Sequence, residues 1–163
     1  PALGLFYLGA EGAGARLLRR GEHFCDRDDL IRALAAASEL PALPLAQTAE
    51  RPLTVVASRS HSNDATESFI ADLEKRHGRV ELRSIGSSLK LCLVADGTAD
   101  VYPRIAPTME WDTAAAQAVA EAAGCRVVDF CSDEPLRYNK MNLTNPYFVV
   151  YGPTWAQTTT ESI

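Results

Sequence analysis

From Leu53 onward, short apolar runs alternate with segments of helical period, and this alternation constrains the fold more than any other feature of the chain. Leu53-Thr-Val-Val-Ala57 reads as a buried strand. A helix is expected over 63–77, with Ala65, Phe69, Ile70 and Leu73 as its apolar stripe and Gly78 as its stop. A strand over 80–85, a helix over 89–96 ending at Gly97, and a strand over 99–102 follow. An alanine-rich helix then starts at Asp112 and stops at Gly124, before strands over 125–130 and 147–151. Such a pattern predicts an α/β fold, a mixed β-sheet flanked by helices.

Upstream the pattern differs. Residues 3–8 and 15–19 read as a β-hairpin around the glycine-rich turn 9–14. These glycines run G-x-x-G-x-G and no βαβ unit follows, so a turn is the reading rather than a dinucleotide loop. A short helix is expected over 28–38, its acidic first turn suiting the helix dipole. Pro41, Pro44 and Pro52 mark a connecting loop. The expected organisation is a hairpin (1–25), a helix and loop (26–52), an α/β half-domain (53–155) and a tail (156–163).

At 163 residues the chain is long enough for one domain with a real core, and a hydrophobic fraction of 47% with 23% charged residues is that of a globular protein. A formal net charge of -5 argues against broad binding to nucleic acid or anionic membranes, so any phosphate site is local. No apolar run is of membrane-spanning length. Cys92 and Cys125 lie in apolar runs, where cysteine is usually a small core residue, and no CxxC pair occurs. His23 and Cys25 do not amount to a zinc site. The expectation is a cytoplasmic protein, peripheral to the inner membrane at most. The first residue is Pro1 rather than methionine, and the native start is expected elsewhere.

In an α/β layer the site belongs at the carboxyl ends of strands, and three polar clusters fall there. Gly86-Ser87-Ser88-Leu89-Lys90 is either a plain serine N-cap with a solvated lysine or an anion cradle built from free amides, hydroxyls and a cation. Asp112 reads as the N-cap of its helix with Trp111 as a hydrophobic staple, or as a carboxylate ligand for a hard cation such as magnesium. Arg59 and His61 are phosphate or base contacts, or ordinary loop residues. Arg104 is a phosphate clamp or a surface charge. No Ser/His/Asp or Cys/His set can be assigned, and His77 suits a helix C-terminus.

Together these blocks resemble the C-terminal half of the CysQ-type 3′(2′),5′-bisphosphate nucleotidases of the inositol monophosphatase superfamily. The matching text is Ser58-Arg-Ser-His61, Gly86-Ser-Ser-Leu-Lys-Leu-Cys-Leu-Val-Ala95, Asp100-Val-Tyr-Pro-Arg104 and Trp111-Asp-Thr-Ala-Ala115. It continues through Pro135-Leu-Arg-Tyr-Asn-Lys140 to Asn145-Pro-Tyr-Phe148. The resemblance implies the C-terminal half of an αβαβα fold, with the hairpin belonging to an antiparallel sheet whose remainder is missing. It also implies magnesium-dependent, lithium-inhibited hydrolysis of the 3′-phosphate of adenosine 3′,5′-bisphosphate to AMP, which clears a by-product of sulfate assimilation. Asp112 then corresponds to a catalytic, metal-binding aspartate. His61, Ser87, Lys90 and Arg104 correspond to nucleotide- and phosphate-contacting positions, and Arg59 is a weaker candidate.

Three departures accompany the resemblance. Ala116 and Cys125 stand where the family usually has glycine, and the acidic Asp-Pro-x-Asp-Gly-Thr motif and upstream glutamate, which supply most metal ligands, are absent. The expectation is a truncated, proteolysed or split product with little phosphatase activity alone. Its exposed hairpin edge is expected to favour self-association or pairing with the missing N-terminal half. Two alternatives are an inositol phosphate phosphatase and a non-catalytic nucleotide- or partner-binding fragment.

Overall fold

Alternation within the strands builds two cores, one on each face of a central sheet. In a computed structural model, which describes residues 5–12, 14–19, 26, 28, 29, 32, 51–57 and 63–156, the order is β1 (Leu5–Ala10), β2 (Gly14–Arg19), β3 (Leu53–Ala57), α1 (Asp64–His77), β4 (Val80–Ser84) and α2 (Leu89–Ala95). Then come β5 (Val101–Arg104), α3 (Glu110–Ala122), β6 (Arg126–Asp129), β7 (Phe148–Tyr151) and the short α4 (Pro153–Ala156). Five strands form one sheet in the order β4-β3-β5-β7-β6. The β4, β3 and β5 strands are parallel, while β7 runs antiparallel to both β5 and β6. The sheet is therefore mixed, as expected.

Val55, Val101 and Val149 pack with Leu73 of α1 on one face, whereas Val56, Tyr102, Phe148 and Val150 pack with α2 and α3 on the other. The period-two alternation of strand side chains separates the two sets. Tyr102 and Phe148 meet edge to face at 5.9 Å, the arrangement aromatic quadrupoles prefer. Ala15 and Leu17 of β2 join the second core, so the hairpin forms an outer layer against α3. Cys92 and Cys125 are both buried there, and burial pushes their thiols up to about 11 and about 12.

Several boundaries differ from the sequence expectation. The last parallel strand spans Val101–Arg104 rather than 99–102, and thus includes Pro103. Pairing between β3 and β5 is confined to Val55 and Val101, so the donor that Pro103 lacks falls past the end of that ladder. In α1, Ala65 is exposed and Thr66 takes its place inside. The Asn63 side chain explains this, because its Oδ1 accepts from both the amide and the hydroxyl of Thr66 at 2.9 Å. Gly78 closes the helix at φ 81° and donates its amide to Glu74, as a C-terminal glycine should. The helix expected over 28–38 lies largely outside the described residues, as do His23 and Cys25.

Two polar ties hold the layers. Arg51 grips both oxygens of the Asp100 carboxylate at 2.7 and 2.8 Å, and Asp100 also accepts the Thr54 amide at 2.7 Å. The Tyr7 hydroxyl donates to Asp96, the residue that ends α2, at 2.8 Å and so pins the hairpin to the far end of that helix.

Candidate functional site

The exits of β3 and β4 lie side by side, since the Ile85 amide donates to the Ala57 carbonyl at 3.2 Å. Beyond Ile85 the chain turns through Gly86 and Ser87. Ser87 adopts φ 63°, a left-handed conformation that is uncommon for a residue with a side chain. Lys90 holds this turn from beneath. Its Nζ donates to the Ile85 carbonyl at 3.1 Å and the Ser87 carbonyl at 2.9 Å, and it lies 5.2 Å from the centre of the Tyr102 ring. Lys90 is only 3% exposed, which removes the solvated-lysine reading. Burial lowers its pKa, and the nearby Arg104 guanidinium lowers it further. The expected serine N-cap is corrected as well: Ser88 occupies the cap without a side-chain hydrogen bond, while the Ser87 hydroxyl accepts from the Leu89 amide at 3.3 Å.

The second wall comes from the exit of β5 and the start of α3. Tyr102 and Arg104 share one face of β5 because they are two residues apart. Arg104 donates from Nη2 to the Pro107 carbonyl at 3.0 Å, and its Nε is buried without a hydrogen-bond partner. Burial pushes the Tyr102 hydroxyl up to about 12, against the opposing influence of Arg104.

Helix α3 starts at Glu110, two residues earlier than expected, with Met109 as its cap. Asp112 is therefore the third helical residue rather than the N-cap. Its Oδ2 reaches back to accept the Met109 amide at 2.9 Å, the reciprocal half of a capping box. Trp111 is not a staple: it sits inside the first turn and is 66% exposed.

These pieces enclose a cleft of about 520 Å³. Ser87, Lys90, Arg104 and Asp112, all singled out in the sequence, line it together, joined by Tyr102, Trp111 and Thr113. Arg59 and His61 lie outside the described residues. Among the described residues the cleft thus carries two cations, with one carboxylate at its rim. Tyr102 escaped the sequence reading, although its place two residues before Arg104 on a strand was the signal that would have found it.

The model of the inositol monophosphatase family matches residues 1–157. The chain belongs to the inositol monophosphatase family. Within this family it is 48% identical over 101 residues to the 3′(2′),5′-bisphosphate nucleotidase CysQ of Escherichia coli K12, a match covering 61% of this chain and 39% of that protein. An uncharacterized protein in the pss 5′ region of Rhizobium leguminosarum bv. phaseoli is 47% identical over 91 residues, covering 52% of this chain and 90% of that protein. The crystal structure of CysQ from Bacteroides thetaiotaomicron superposes with a TM-score of 0.82 at 47% identity, covering 94% of this chain and 55% of that one. The chain thus spans about two fifths to about half of the length of these CysQ relatives. Inositol monophosphatase II from Staphylococcus aureus, at 16% identity and a TM-score of 0.63, shares the fold.

Family membership raises the question of a metal ion, and the donors in the cleft answer it in part. Among the described residues no group of three or more His, Cys, Asp or Glu side chains is arranged to hold a metal. Among the described residues Asp112 is the one acidic residue lining the cleft, and its Oδ2 is already engaged by the Met109 amide. A catalytic magnesium needs near-octahedral oxygen coordination, and this set does not supply it. What the described residues do offer is chemistry suited to an anion: the buried Lys90, the half-buried Arg104, hydroxyls and an aromatic floor.

Proposed function

We propose that the cleft is the nucleotide-phosphate side of a 3′(2′),5′-bisphosphate nucleotidase site, with adenosine 3′,5′-bisphosphate as substrate and AMP as product. The observation that carries this reading is the convergence of Lys90 and Arg104 on one cleft beside Ser87 and Asp112. Two cations held close together, with Arg104 lowering the pKa of Lys90, are stabilised by an anion placed between them. In the reaction, Lys90 and Arg104 would orient the phosphate and offset its charge, and the Ser87 hydroxyl would donate to a phosphate oxygen. Asp112 would take part in metal binding once further carboxylates are present. His61 and Arg59 are proposed contacts on the nucleotide side.

The nucleotide branch is favoured over the inositol branch by identity, at 35–48% to CysQ proteins against 16–21% to inositol monophosphatases. Enzymes of this family are metal-dependent, typically on magnesium. With one carboxylate in the cleft among the described residues, the 163-residue chain is expected to bind nucleotide while hydrolysing it poorly. Calorimetry with AMP and with inositol 1-phosphate tests the ligand class, and preference for inositol phosphate would overturn the assignment. Phosphate release from adenosine 3′,5′-bisphosphate at saturating magnesium tests the rest. Robust turnover by this chain alone would show that its metal ligands are complete.

A further inference from the structure

The first turn of α3 carries the cleft on one side, and on the other it is wrapped by residues 135–147. Hydrogen bonds from four points along it make this strap. The Glu110 carboxylate, in a residue only 8% exposed, accepts the Asn139 amide at 2.9 Å, the Lys140 amide at 3.2 Å and the Lys140 ammonium. The Tyr138 hydroxyl donates to Gln117 at 2.7 Å and meets the Thr113 hydroxyl at 3.0 Å. The Asn145 side-chain amide donates to the Met109 carbonyl and the Thr113 hydroxyl, both at 3.0 Å, while the Glu110 amide donates to the Leu143 carbonyl at 2.9 Å. Thr113 lines the cleft as well, so the strap and the cleft share a wall one side chain thick.

A buried carboxylate is costly unless its lone pairs are filled. Among the described residues every partner of the Glu110 carboxylate comes from residues 139–140, where Asn139 holds φ 61°. Glu110 precedes Trp111 and Asp112 directly, so whatever fixes its side chain fixes the rotation of the turn that presents them. We infer that Glu110 is a positioning residue: by anchoring the 135–147 strap it sets the orientation of the Asp112–Thr113 wall and thereby the affinity of the cleft for its anionic ligand. This rests on the proposed reading of the cleft as a nucleotide-phosphate site.

The test compares the 163-residue chain with Glu110→Ala, Glu110→Gln and Lys140→Met, and with Leu73→Ala as a control that weakens the opposite core. AMP affinity is measured by calorimetry below the melting temperature of each variant, and strap release by trypsin cleavage after Arg137, a site that every variant keeps. Glu110→Ala is expected to speed cleavage in the strap and to weaken AMP between about tenfold and a hundredfold, the scale of an ångström-level misplacement. Glu110→Gln, which keeps one acceptor, should fall between it and the wild type, and Leu73→Ala should lower the melting temperature without weakening AMP. If Glu110→Ala fails to fold, Lys140→Met decides, because it removes only the ammonium. AMP binding indifferent to these changes, an uncut strap, or equal weakening by Leu73→Ala would overturn the inference alone. Absence of AMP binding by the wild-type chain would remove the cleft reading and this inference with it.

Discussion

Gly9 of the hairpin and Val119 of α3 meet backbone to backbone: a β-carbon on Gly9 would stand 2.8 Å from the Cα of Val119 and 3.3 Å from the Ala118 carbonyl oxygen. Neither obstacle is the end of a flexible side chain, so the layers must part to admit a methyl group. Gly9→Ala is expected to destabilise the chain by about 1–3 kcal/mol, the usual cost of overpacking. Urea denaturation measures this, and an unchanged midpoint would mean that the hairpin slides freely on α3.

In the proposed site Lys90 carries the phosphate grip. Lys90→Ala should weaken AMP binding by about 1.5–3 kcal/mol, the scale of a hydrogen bond to a charged group. Because burial and Arg104 lower the Lys90 pKa, affinity should also decline with rising pH before the ordinary lysine range is reached. Calorimetry across alkaline pH reads both effects, and a flat profile would return Lys90 to a purely structural part.

Ser87 separates stability from binding. Glycine at φ 63° relieves the conformational cost of a side chain there, partly offset by the entropy of a freer unfolded chain. Ser87→Gly is expected to gain about 0.5–1 kcal/mol of stability and to lose nucleotide affinity with its hydroxyl. Thermal melts and AMP titration on one preparation should move in opposite directions.

Glu110 gives the acid limb. The hydrogen bond from Lys140, aided by the two backbone amides, holds its carboxyl below the usual carboxylate range. A depressed native pKa contributes stability that is fully present above the unfolded value and is lost as pH falls through the native one. The stability gap between wild type and Glu110→Gln should therefore be widest near neutrality and close in acid. Parallel pH curves for the two proteins would contradict this.

The strand–helix alternation of the sheet was legible because each face of β3 and β7 is covered, which forces strong patterning into Leu53-Thr-Val-Val-Ala57 and Phe148-Val-Val-Tyr151. Ser87, Lys90, Arg104 and Asp112 were legible as candidates because strand exits and helix starts announce themselves. Their mutual arrangement was not. That Lys90 lies buried against the Tyr102 ring, or that the start of α3 is held by Leu143 and Asn145, depends on residues distant in the sequence. The strap was hidden for the same reason: nothing local in residues 135–145 reveals that Asn139, Lys140 and Asn145 serve a helix some 30 residues earlier.

The tie between Tyr7 and Asp96 closes a separation of 89 residues that includes β3, β4 and the helices beside them. A contact of that span forms only after the intervening chain has collapsed, since loop closure must precede any gain from it. Docking of the β1–β2 hairpin on α2 and α3 is thus a late event in folding, since both helices must be made before Tyr7 can reach Asp96 and Gly9 can reach Val119.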